Sequence, residues 1–160
     1  MAEVKISQFR GRQFGGAAGA YGNLTVLAFA LATAANGGAI GANSAAPLAI
    51  GDVVDLGPLP EGMRLDDSTV VVSTAMTALV TGSLGFVYED GVDDASVPQD
   101  PAYFGAALAL NAAARLRNAS SKAIVTLPKP ARLVLTVAGA ANAKASKLDI
   151  VVVGELTGDK

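Results

Sequence analysis

At 160 residues the chain fits one domain, large enough to need no disulfide or metal staple. A net charge of −2 gives no general pull toward DNA or RNA, and 5% aromatics without Trp leave little for stacking on bases or sugars. The chain has no Cys and no His, which removes thiolate chemistry and the commonest neutral-pH acid/base and transition-metal ligand; neither an enzyme nor a cofactor is expected.

Residues 1–22 stand apart from the rest. Lys5, Phe9, Arg10, Arg12, Phe14 and Tyr21 are scattered among Gly15, Gly16, Gly19 and Gly22 with no sustained period of 3.6 or 2.0, which predicts an extended N-terminal arm ahead of a domain over 23–160. Ordering each backbone residue costs about 1 to 2 kcal/mol, with little side-chain burial here to offset it. A partner or neighbouring subunit is expected to hold the arm, and folding back onto its own domain is the alternative. Cations interleaved with aromatics suit protein interfaces, and three charges give only shallow nucleic-acid affinity, so these six residues are candidate protein contacts. The apolar stretch Leu24 to Ala35 is too short for a membrane span, and the residues before it would make an unusually long basic leader for a secretory signal.

After the arm come short runs with alternating apolar residues: Leu27, Phe29 and Leu31; Val54 and Leu56; Val70 and Val72; Leu84, Phe86 and Tyr88. Later runs are Ala123-Val125-Leu127, Leu133-Leu135-Val137 and Leu148-Ile150-Val152. Period two with one polar face predicts antiparallel sheets covered on one side. Punctuation falls at Asn36-Gly37-Gly38, Gly57 to Gly62, Glu89-Asp90-Gly91, Pro98 to Pro101, Pro128-Lys129-Pro130 and Gly139 to Asn142, which argues for an all-β sandwich or barrel. Gly105 to Asn118 resists this pattern: six alanines with Leu108, Leu110 and Leu116 favour a short helix or an irregular loop.

Candidate chemistry is sparse. Glu89, Asp90, Asp93, Asp94 and Asp100 form the densest acidic cluster, but the spacing lacks the ligand alternation of a calcium loop, and a solvated hairpin loop is expected. Asp66-Asp67 reads as the start of a strand. Ser120-Ser121-Lys122 and Ser146-Lys147 place neighbouring residues on opposite faces of a strand, which is no arrangement for a nucleophile and its base.

The run Gly51-Asp52-Val53-Val54-Asp55-Leu56-Gly57-Pro58-Leu59-Pro60-Glu61-Gly62-Met63-Arg64-Leu65, followed by Ser68 to Ser73, resembles a motif of the capsid cement, or decoration, proteins of tailed bacteriophages. Gly85 to Asp90 and Lys129 to Gly139 resemble later strands of that family, so the resemblance covers roughly residues 50–157. It implies a jelly roll of two packed antiparallel sheets that forms a homotrimer on the outer capsid surface of a virion and clamps neighbouring major capsid proteins. Charge, the short apolar stretch and the missing His and Cys add the expectation of no cofactor, no nucleic acid and no membrane. Lys5, Phe9, Arg10, Arg12, Phe14 and Tyr21 would then contact the capsid or a neighbouring subunit. The alternative from another class is a carbohydrate- or receptor-binding sandwich of a tail or fibre, which the absence of Trp disfavours.

Overall fold

The computed structural model describes residues 2–5, 24–117 and 120–156. Ten strands are found among them: β1 (Glu3–Lys5), β2 (Leu24–Thr33), β3 (Val53–Leu59), β4 (Met63–Thr74), β5 (Thr81–Tyr88), β6 (Asp100–Ala109), β7 (Ala114–Arg117), β8 (Val125–Thr126), β9 (Ala131–Ala138) and β10 (Ser146–Leu156). They form two sheets, one ordered β1-β3-β9-β5-β6 and the other β2-β10-β4-β7 with β8 also on β4. Every pairing is antiparallel except that of β1 with β3. The chain crosses repeatedly between the sheets, and the result is a jelly-roll-like β-sandwich.

Alternation in the sequence builds the core directly. Leu27, Phe29 and Leu31 of β2, Leu84, Phe86 and Tyr88 of β5, Leu133, Leu135 and Val137 of β9, and Leu148, Ile150 and Val152 of β10 all point between the sheets and are buried. Without Trp, the largest filling is an aromatic cluster in which Phe86 meets Tyr103 edge-on at 5.5 Å and Tyr103 meets Phe104 at 5.0 Å. The Tyr103 hydroxyl donates to the Ala123 carbonyl at 2.9 Å, with the Leu65 carbonyl at 3.3 Å, so its polar tip is satisfied inside the sandwich.

Three expectations change. Gly105 to Asn118 is neither helix nor irregular loop as far as it is described: β6 continues to Ala109, and β7 begins at Ala114 in the opposite sheet. Alanine's helical preference is weak, and pairing outweighs it, with Ala109 set against Thr81 and Leu116 against Val70. The price of the irregular composition is a bulge: two residues, Ala106 and Ala107, lie opposite Ser83, and Ala107 takes φ 53°. Second, Gly57-Pro58-Leu59 belongs to β3 rather than to a turn. A bulge between Asp55 and Gly57 leaves Leu56 unpaired, and Gly57 at φ 150° accommodates it. Third, Asp66-Asp67 lies inside β4, not at its start.

The first residues of the expected arm are part of the domain. Glu3–Lys5 pair with Val53–Asp55, Val4 is buried, and the Ala2 amide donates to the Asp52 carboxylate at 3.1 Å. Residues 6–23, which join β1 to β2, lie outside the described residues.

Candidate functional site

Of the six residues expected to make contacts, only Lys5 has a described backbone, in β1; Phe9, Arg10, Arg12, Phe14 and Tyr21 lie outside the described residues. The acidic loop between β5 and β6 is described, and its three aspartates are engaged internally. Asp94 accepts from the Ser96 hydroxyl and from the Ser96 and Val97 amides, and Asp93 accepts from the Gln99 amide at 2.7 Å. Asp90 holds the Lys129 ammonium at 2.8 Å, and that ammonium also lies 4.5 Å from the centre of the Tyr88 ring. Among the described residues no group of three or more Asp and Glu side chains is placed to hold a metal ion.

These contacts make the loop acid-sensitive. The Lys129 hydrogen bond lowers the Asp90 pKa, and the Ser96 hydroxyl lowers that of Asp94. For Asp100 burial pushes upward, but the Lys122 hydrogen bond and the Ala102 amide outweigh it, and the net shift is downward. Carboxyls depressed by folding contribute stability that is present above their unfolded value, about 3.9, and is lost as pH falls through the lower folded value. Amide exchange across 89–99 is therefore expected to quicken as pH falls below about 4, beyond the intrinsic pH dependence of exchange. Protection that changes no more there than in β9 would refute the assignment.

Asp66 and Asp67 also serve structure, through ion pairs with Arg64 and Arg117. Ser146 is buried against Thr33, whereas its neighbour Lys147 is exposed, as opposite faces of one strand require. On the outer face of the first sheet, Arg132 donates to the Asp55 carboxylate from Nε at 3.0 Å and holds it with Nη2 at 2.9 Å, in a groove of about 290 Å³ that Glu3, Val53, Glu89 and Val134 also line.

The two ends of the sandwich differ in kind. At one end, called the upper end, β2, β4, β6 and β9 finish and β3, β5, β7 and β10 begin, so the loops 34–52, 75–80, 110–113 and 139–145 gather there. Asn142 joins three of them. Its side-chain nitrogen donates to the Lys144 carbonyl at 2.9 Å and to Thr33 Oγ1 at 3.1 Å, and its oxygen accepts from the Thr77 amide and hydroxyl, both at 3.1 Å. Its backbone amide donates to the Leu48 carbonyl at 2.8 Å, and Asn142 is fully buried. The only ionisable side chains in these four loops are Lys144 and Asp52, and Asp52 is buried as an acceptor for the Ala49 and Ala2 amides. The lower end, by contrast, carries Glu61, Glu89, Asp90, Asp93, Asp94, Lys122 and Lys129 on its described loops.

Sequence reasoning missed the uncharged end because the four loops are far apart in the chain. The signal that points to it is an uninterrupted absence of Asp, Glu, Lys and Arg from Gln13 to Gly51.

No protein-family model and no curated protein matches the chain. Two solved structures do. A chain from the capsid of Ralstonia phage GP4 superposes with a TM-score of 0.69 at 18% identity, over 99% of this chain and 100% of that one. A chain from the capsid asymmetric unit of the cyanophage Pam1 gives 0.59 at 15% identity, over 93% and 94%. The fold is thus one found in phage capsid structures.

Proposed function

We propose that this protein is a non-catalytic structural component of a phage virion that binds the outer face of the capsid and cements neighbouring major capsid proteins. The observation that carries the reading is the nearly end-to-end superposition on a chain from a phage capsid. The motif over Gly51 to Leu65, which resembles that of cement proteins, agrees with it. A homotrimer suits such a role, because three linked copies attach by effective concentration and not by one strong contact.

Lys5, Phe9, Arg10, Arg12, Phe14 and Tyr21 are assigned to contact with the capsid or a neighbouring subunit. Replacing residues 6–23 by a glycine-serine segment of equal length keeps the connection from β1 to β2 and removes those side chains except Lys5. The variant is expected to attach to undecorated capsids at least about tenfold more weakly, the loss of roughly 1.4 kcal/mol that one good anchor residue supplies. Unchanged attachment of a folded variant would remove these residues from the interface. The carbohydrate-binding alternative has no observation in its favour.

A further inference from the structure

We infer that the outer face of the second sheet is a self-complementary surface on which a second copy of this chain packs about a twofold axis, β4 over β4. The inference is independent of the capsid reading above and concerns only how copies of the chain meet.

Side chains that alternate with the core residues of this sheet point outward, and in an antiparallel sandwich such positions are ordinarily polar. Here the middle of the face is aliphatic. Register sets Ala28 of β2 beside Val151 of β10 and Val151 beside Thr69 of β4, with Val26 and Val153 paired below them and Val71 above Thr69. Val71, Val151 and Val153 are half-buried, and Val26 is 57% exposed. An uncharged centre with charges at its margin is the layout of a protein interface.

The charges say which protein. Arg64 holds Asp66 and Glu155, and Arg117 holds Asp67, so those ions are spent within the chain. Lys147 is exposed at the upper margin, where β10 begins. Asp149 and Arg115 remain, with no ion pair or side-chain hydrogen bond to any described residue. Asp149 of β10 pairs with Val71 of β4, and Val71 pairs with Arg115 of β7, so the three lie in one row with Val71 at its centre. Two strand spacings, about 10 Å, separate the backbones of the carboxylate and the guanidinium.

Symmetry turns that row into a match. Rotation by half a turn about an axis along β4 exchanges the two sides of the row, and it brings Asp149 of each copy over Arg115 of the other. Facing sheets pack about 10 Å apart, a gap that a long arginine and a short aspartate span together. Val71 and Thr69 meet their own counterparts at the axis, and Val151 of each copy meets the stem of Arg117 of the other. A different protein would have to present an anion and a cation at this spacing around an apolar strip. A second copy presents both by construction, and the twofold closes the contact at two faces.

Sedimentation of the full chain over a concentration series tests this. The unmodified protein should reach twice the mass that Asp149→Arg or Arg115→Asp shows at the same concentration, since each change turns two attractions into two repulsions and should weaken association at least about tenfold. Mixing supplies the decisive arm. Asp149→Arg carries two cations on the face and Arg115→Asp two anions, so an equal mixture should regain the doubled mass, as should the double variant Asp149→Arg with Arg115→Asp. A variant that failed to fold could not be recovered in this way. Equal masses for the unmodified protein and both single variants would overturn the inference, and so would a mixture that stays at the lower mass. Weaker attachment of both single variants to undecorated capsids, with no change in mass, would put a capsid protein on this face and overturn it as well. The capsid reading is tested separately, by attachment of the unmodified protein.

Discussion

Asn142→Ala lowers the free energy of unfolding by about 3 kcal/mol, because a buried group that loses its partner costs about 1–3 kcal/mol and several are stranded together. The Thr77 amide and hydroxyl lose their acceptor, and the Lys144 carbonyl and Thr33 lose a donor, all at the junction of three loops. Among the described residues no other buried side-chain nitrogen or oxygen is left unpartnered, so the variant creates a defect that the native chain does not contain. Gly37→Ala should strike the same junction from the other side. Gly37 sits at φ 87°, and an added Cβ would fall 2.1 Å from the Asn142 carbonyl oxygen. Urea denaturation reads both: the midpoint falls and the slope is kept. A change below about 1 kcal/mol for Asn142→Ala would mean that water replaces the amide, and that the upper loops are looser than described.

Arg132→Met should cost about 3–5 kcal/mol, since it removes the partner of a buried carboxylate. The Asp55 side chain is 6% exposed and that of Arg132 26%, and both guanidinium prongs are spent on the one carboxylate. The sign of the pair's own contribution is a separate matter. Desolvating two charges offsets much of their attraction, so Asp55→Val combined with Arg132→Met should recover most of the stability lost by the single change. A double-mutant cycle decides: near-additive losses would show that Asp55 is not held by Arg132. The pair is diagonal, Asp55 standing opposite Val134 and Arg132 opposite Pro58 on the two sides of the bulge at Leu56, so it also ties the register across that bulge.

Much of this architecture is legible in the sequence because alternation states burial directly. Leu133, Leu135 and Val137 face inward for the same reason that Arg132 and Thr136 do not. Legibility ends where local composition and long-range pairing disagree. Ala106 to Ala109 favours a helix in isolation, yet it is an edge strand because β5 offers it a ladder. Gly57-Pro58 looks like a turn because a bulge and a turn use the same residues. Glu3–Lys5 is too short to show a period, and only its pairing with β3 reveals it. The upper end was the least accessible of all, since each of its loops reads as plain punctuation until the two sheets bring them together. Alanine-rich composition, an apparent weakness for a core, becomes intelligible there: Ala34, Ala35, Ala78, Ala112 and Ala143 are exposed on that end as small side chains that carry no charge.

The central claim is that this chain stabilises a capsid from outside. Its most direct measurement is the temperature at which undecorated capsids rupture, taken with and without the purified protein at saturating concentration. The account predicts a higher rupture temperature when the protein is bound, together with retention of the protein in the capsid fraction. Capsids that neither bind the protein nor rupture at a different temperature would contradict it.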